Sequence, residues 1–322
     1  MVQPFFTYIT LVTSKHRMQT SAPTKTALWT QNFILISALN FTLIFTFYLL
    51  VIVIVGYAIS ELHASTAQAG LISGLFIIGT LIGRLMVGKI LTRFGSAATL
   101  RFGLAGFCIF SLLYFFPFDV NGLLVTRFIH GFMMGIASTI LGSTIAQIIP
   151  NERRGEGIGY YSMSNTLGTA IGPFLAIWMM LHYGYQAIFI VTTIVSFFAF
   201  LFSFGVKFPQ LKRSEKSTST YASKLEQYIE PKALPIALLM MLLSLAYAGV
   251  LAFINPYAKS LDLVQAATLY FLVYAITVLI SRPFTGPLAD RKGSNFIVYP
   301  AFIFMIVGLI LLAYTHSAWM LF

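Results

Sequence analysis

Charge is what this chain has least of. Only 9% of its residues are charged, 9 acidic against 20 basic, while 58% are apolar. A water-soluble domain carries about 25% charged residues. So sparse a set cannot cover a water-facing surface, and most of the surface is expected to face lipid. Cysteine is nearly absent. Cys108 stands alone inside an apolar run, which excludes an intrachain disulfide and any cysteine-based metal cluster. The sequence has no His-Glu-x-x-His, no phosphate loop ending in Gly-Lys-Ser/Thr and no pair of carboxylates within an apolar run. No enzyme, nucleotide-driven pump, cofactor or metal site is therefore read from it.

Long apolar runs are what is present. A membrane span needs about 20 mainly apolar residues. Nine runs meet that need, at roughly 33–56, 66–87, 98–118, 121–148, 158–181, 185–206, 233–256, 264–285 and 296–315. A tenth begins at Ala318. The 16% aromatic content fits an interface-rich protein. An early run, Phe5 to Val12, is too short to span and has no basic segment before it, so it makes a poor signal peptide. Residues 1–17 read as a start-site extension or a tail. The expected organisation is a polar leader over 1–32, a six-span bundle over 33–206, a Lys/Ser/Thr-rich linker over 207–232 and an incomplete second bundle over 233–322. Within the linker, Lys224 to Ile229 is a candidate helix lying on the membrane surface.

The formal net charge is +11. On a soluble protein that would suggest nucleic acid; here the basic residues sit in short loops between apolar runs. On the N-terminal side lie Lys15, Arg17, Lys25, Lys89, Arg93, Arg101, Arg153, Arg154, Lys207, Lys212, Arg213, Lys216, Lys224, Lys232, Arg291 and Lys292, sixteen of the twenty. Lys259 alone lies on the other side, and Arg84, Arg127 and Arg282 fall within spans or at their ends. The imbalance places the N-terminus in the cytoplasm. The expected setting is the plasma (inner) membrane of a bacterium, with the lipid bilayer as the protein's partner and no nucleic acid.

The chain repeats itself. Arg84, Gly88, Arg93 and Gly95 recur as Arg282, Gly286, Arg291 and Gly293, each at an offset of 198. Both copies follow an even-numbered span and enter the same side, so two parallel halves related by an axis along the membrane normal are expected. The same offset carries residue 206 to position 404, about 80 residues and nearly three helices beyond Phe322.

These residues carry a family resemblance. Gly286-x-Leu288-Ala289-Asp290-Arg291-x-Gly293 resembles the loop signature of the major facilitator superfamily. Arg127-x-x-His130-Gly131-x-x-x-Gly135 is similar to its fourth-helix motif, and Pro150-x-Glu152-Arg153-x-Gly155 to its loop into the fifth helix. Gly168-x-x-x-Gly172-Pro173-x-x-Ala176 resembles the fifth-helix motif of exporters that exchange substrate for protons. The sequence departs from the family pattern at Thr92, where an acidic residue is usual, and at Ala176-Ile177, where a glycine pair is usual. The resemblance implies an all-α membrane protein with two six-helix pseudo-repeats, of which nine helices and the start of a tenth are present. It also implies a small-molecule substrate, with protons as the coupling ion.

Each motif has a physical reading. Gly95 and Gly293 permit the tight turns that reverse the chain. Asp290 suits a helix N-terminus, and the resemblance sets it against the Gly155–Gly159 end of the fifth span, with Arg282 available as an ionic partner. Arg127 is a costly charge inside a span, hence a functional candidate, and His130 lies on the same helical face. Gly131, Gly135 and Gly142 form one small-residue face, and Gly168, Gly172 and Ala176 another, for close helix packing. Pro173 can kink the fifth span and Asn255-Pro256 can end or bend the seventh. Asn40, Tyr48, Asn165, Tyr247 and Asn255 are candidate pocket-lining groups. All nine acidic residues lie in loops or at helix ends. Proton coupling is left to His130 with Arg127, to Asp119, to groups outside this sequence, or to nothing. The expected function is proton-coupled efflux by alternating access. The alternatives are import of a small organic anion with Arg127 as its clamp, or a non-transporting fragment.

Overall fold

The structure, a computed structural model, describes residues 27–116, 119–209, 231–261 and 263–321. Most of the leader, the run 5–12 and most of the linker, with its candidate helix 224–229, lie outside the described residues. Within them, all regular structure is helical. Seven α-helices follow in order: α1 Gln31–Ser60, α2 Thr66–Leu112, α3 Val120–Ile148, α4 Arg154–Phe202, α5 Leu234–Ser260, α6 Val264–Lys292 and α7 Asn295–Ala313. A 3-10 turn, Ala318–Leu321, stands where the tenth run begins.

Seven helices hold nine segments, because α2 and α4 each turn a corner at one glycine. Gly95 has φ 77 and ψ 169; Gly184 has φ 74 and ψ −177. A Cβ penalises that region, and glycine enters it freely. Nine segments match the nine runs in number. Their lengths differ: the arm of α2 before Gly95 continues about two turns past residue 87, through Lys89 and Arg93. Apolar runs mark only the stretch in hydrocarbon, whereas the helix goes on through basic residues that reach the interface. Five helical stretches are long and apolar enough by composition alone to cross a membrane: Gln31–Ser60, Thr66–Phe115, Val120–Ile148, Trp178–Gly205 and Asn295–Ala313.

Local signals set the starts. Ser65 and Gln68 form a capping box at α2. Asp119 accepts a hydrogen bond from the Gly122 N–H, 2.9 Å, at the start of α3, and Thr30 accepts from Phe33 at α1. Such caps satisfy amide donors that a helix leaves open. Two prolines expected to disturb helices leave them unbroken: α4 runs through Pro173 to its corner at Gly184, and α5 runs through Asn255-Pro256 to Ser260.

The closest packing is between α2 and α3 and is made by glycines on both sides. A Cβ on Gly131 would lie 2.0 Å from the Phe76 carbonyl oxygen, and one on Gly135 2.3 Å from that of Thr80. Reciprocally, Cβ atoms on Gly79 and Gly83 would meet the Phe128 and Phe132 oxygens at 2.1 and 2.3 Å. Gly142, expected on this face, has nothing within 4 Å of its Cβ position. A second crossing joins α1 and α4, where Gly168 meets Ile44 and Phe45, and Gly172 meets Tyr48. The two ends of this helical set are clipped together, since the Asn32 amide donates to the Lys207 carbonyl and accepts from the Lys207 N–H at 2.7 and 2.9 Å. The main packing between this set and α5–α7 is α4 against α6.

Candidate functional site

Where α6 ends, it meets the start of α4. The Asp290 carboxylate accepts two backbone hydrogen bonds there, from Gly155 N at 2.5 Å and Glu156 N at 2.8 Å. First-turn amides have no partner within their own helix and sit at the positive end of its dipole, so a carboxylate is favoured there. Glycine makes the approach possible. A Cβ on Gly286 would lie 2.8 Å from Glu156 Cα, and one on Gly155 2.7 Å from the Gly286 oxygen. Gly159 continues the seam, with Arg282 O and Gly286 Cα at 3.6 and 3.7 Å from its Cβ position.

Arg282, expected as the ionic partner of Asp290, makes no ion pair with it among the described residues. The two stand eight residues apart on one helix, about 12 Å along its axis. The cation beside Asp290 is Arg153, which pairs with Glu156 at 2.6 Å. That hydrogen bond to Glu156 holds the Arg153 guanidinium more firmly protonated than usual, with Asp290 adding to the effect. The first copy of the motif differs. Arg84, Gly88 and Arg93 are exposed, Arg93 lies over the Phe94 ring at 5.3 Å, and Thr92 donates to the Lys89 carbonyl at 3.0 Å. Arg291 is exposed, and Gly293 turns the chain with φ 84 and ψ 155.

The second cluster lies inside the bundle. Arg127 is wholly buried. Its guanidinium sits over the Phe76 ring at 4.2 Å, donates from Nε to the Ile72 carbonyl at 3.4 Å and from Nη1 to the Tyr114 hydroxyl at 3.2 Å. The same hydroxyl lies 2.9 Å from His130 Nδ1, and His130 is also wholly buried. The Phe107 ring covers the imidazole at 4.2 Å, and Tyr114 stacks on Phe189 at 5.4 Å. Arg127 and His130 are thus brought together through a tyrosine from another helix.

A third group is neutral. Asn40, buried on α1, donates to Ser164 Oγ and Asn165 Oδ1 on α4, both at 2.7 Å. The ring of Tyr247 on α5 lies 5.7 Å from that of Tyr274 on α6. Asn255 belongs to α5, and its side chain lies outside the described residues.

Sequence reasoning missed several contributors. Tyr114 carries no motif and reveals itself only by its contacts. Gly79 and Gly83 do carry a signal, glycine at a spacing of four on a span. Asn32 and Lys207 are 175 positions apart, and no local pattern links them.

Comparison with known proteins agrees with the fold. A profile described as Major Facilitator Superfamily matches residues 35–322. A staphylopine export protein of Staphylococcus aureus is 25% identical over 79% of this chain and 64% of its own length. A multidrug resistance protein, MdtG, of Salmonella arizonae is 22% identical, again over 79% of this chain and 64% of its own length. The matched region thus spans less than two thirds of either relative. The crystal structure of the POT-family transporter PepTSo superposes with a TM-score of 0.53 at 16% identity, covering 83% of this chain and 55% of that one, a likeness of fold alone. Nine helical segments among the described residues, a glycine corner repeated at an offset of 198 and a family profile over residues 35–322 converge: this chain belongs to the Major Facilitator Superfamily.

Proposed function

We propose that this chain works in a secondary active transporter that exports small organic molecules by alternating access, with protons as the coupling ion. The carrying observation is the closure at the α4–α6 end, where Asp290 holds two first-turn amides and Gly286 rests against Gly155. That contact crosses between the 33–206 set and the 233–322 set while leaving both backbones intact. Its bonds are few and partly exposed, so it can break and re-form as the sets rock. The excess of basic residues at this end supports a cytoplasmic placing for it, with the leader 1–32 and the linker 207–232. The described state is then closed on the inside. Asn40, Tyr247 and, by its place on α5, Asn255 supply neutral polar groups for substrate, while Arg127 with His130 supplies the coupling candidate. Export is supported by the likeness to a staphylopine export protein, and a small organic substrate by the likeness to a multidrug resistance protein.

Everted vesicles from bacteria expressing the protein test the reading. Energised vesicles should accumulate a lipophilic dye, and collapsing the proton gradient should release it. A second reading, import of a small organic anion, is favoured by the buried charge of Arg127, which has no ion pair among the described residues. It predicts proton-dependent uptake of a labelled organic acid by whole cells and no dye accumulation in vesicles. Flux in neither assay refutes transport by this chain.

A further inference from the structure

The chemistry around Arg127 is incomplete in a specific way. A guanidinium only donates hydrogen bonds. Arg127 Nη1 donates to the Tyr114 oxygen, and the acceptor that the described residues offer the tyrosine's own buried hydrogen is His130 Nδ1, 2.9 Å away. Nδ1 is then the acceptor, and the neutral imidazole carries its hydrogen on Nε2. Two buried donors follow, His130 Nε2 and Arg127 Nη2. Neither has a hydrogen-bond partner among the described residues.

The charge is as unbalanced as the hydrogen bonds. Asp119, the acidic residue nearest in sequence, is engaged elsewhere: one carboxylate oxygen accepts from Gly122 N at 2.9 Å, the other from Asn121 Nδ2 at 3.2 Å. No ion pair reaches Arg127 among the described residues. The Phe76 ring face, 4.2 Å away, offers partial compensation. Burying an ion costs several kcal/mol and is met in proteins by pairing.

We infer that Arg127 Nη2 and His130 Nε2–H, held by the Tyr114 bridge, form an internal site for a small monovalent anion, either a halide or the carboxylate of a small organic acid. Full burial of both side chains limits the site to ligands of a few atoms. Tyr114 is its positioning residue: it fixes the imidazole tautomer and the guanidinium together.

The test is equilibrium binding of radiolabelled chloride and, separately, formate to the purified protein in detergent, read by scintillation proximity at constant ionic strength. The expected result is saturable binding displaced by bromide, formate and acetate but not by gluconate. Binding should fall at least tenfold in Arg127→Gln and several-fold in His130→Leu. Saturable formate binding with none of chloride assigns the site to a carboxylate; the reverse assigns it to a halide. Absence of saturable binding of both, displacement by gluconate, or unchanged binding in Arg127→Gln overturns the proposal. Should Arg127→Gln not fold, Tyr114→Phe decides. It removes only the bridging oxygen and should weaken binding several-fold. It should also change the nitrogen chemical shifts of His130 away from the Nε2–H tautomer. Unchanged shifts and affinity in Tyr114→Phe refute the positioning role. Binding is measured without flux, so its failure leaves the transport proposal standing.

Discussion

Replacing Asp290 by alanine removes a charged acceptor from two backbone amides at once, Gly155 N and Glu156 N. Loss of an N-terminal capping side chain costs about 0.5–2 kcal/mol, and loss of a charge at a helix N-terminus about 0.3–1 kcal/mol. The carboxylate is exposed, so solvent screens part of this. About 1–2 kcal/mol remains, a factor of roughly 5–30 between two states. That factor should appear in the ratio of open to closed forms at the α4–α6 end, because the bonds exist only when that end is closed. Nitroxides on Asn151→Cys and Ser294→Cys, both exposed, in a Cys108→Ser background report the distance by double electron–electron resonance. The open population should rise by that factor in Asp290→Ala and less in Asp290→Asn, which keeps an acceptor oxygen. Gly286→Ala should open the same end by a steric route, since its Cβ would fall 2.8 Å from Glu156 Cα. Distance distributions in Asp290→Ala that superimpose on the wild type, with an unchanged melting temperature, would falsify the closure argument.

Three further outcomes are expected. Gly131→Ala should lower the melting temperature in detergent by several degrees, because its Cβ would sit 2.0 Å from a backbone oxygen and overpacking costs about 1–3 kcal/mol. Gly142→Ala, with open space around it, should instead gain about 0.5–1 kcal/mol of helix propensity; equal behaviour of the two variants contradicts the packing described. A double-mutant cycle between Asn40→Ala and Asn165→Ala in SDS-driven unfolding should give about 0.5–1.5 kcal/mol, the range for interhelical hydrogen bonds in membranes, and a value near zero removes that bond from the account. Tyr247→Phe should raise the KM for exported substrate about fivefold through loss of one hydroxyl worth about 1 kcal/mol, with the maximal rate unchanged; a lower rate at constant KM points to gating instead.

Much of the fold was legible because lipid imposes a simple rule on sequence. Runs of apolar residues became helical segments, while the basic residues after a run could lie inside the helix, as Lys89 and Arg93 do. Gly95 was readable as a corner through its repeat at Gly293. Gly184 was not, since its partner at this offset falls outside the chain. Arg127 stood out as a charge within an apolar stretch, and His130 followed from helical spacing. What joins them did not: Tyr114 is thirteen residues from Arg127 and belongs to a different helical element. The expected Arg282–Asp290 pair failed for a related reason. Spacing along one helix says what shares a face, but Asp290 is held by the first-turn amides of α4, the end the family resemblance sets it against, and not by a cation eight residues back on its own helix. The α2–α3 seam was half visible, with the glycines of α3 noted and their counterparts on α2 overlooked.

The corners at Gly95 and Gly293 carry a consequence for how the two halves have drifted apart. Their backbones are nearly superimposable, with φ 77 and ψ 169 at one and φ 84 and ψ 155 at the other. Three positions earlier the copies have lost their likeness, Thr92 in one and Asp290 in the other. A change at position 92 or 290 alters one electrostatic contact and can be repaired by a single substitution. A change at either glycine redirects every residue that follows, and no neighbouring side chain can compensate. Ancestry is therefore recorded more durably in the dihedral angles of these corners than in the chemistry beside them, and a search for the duplication should weight geometry over residue identity.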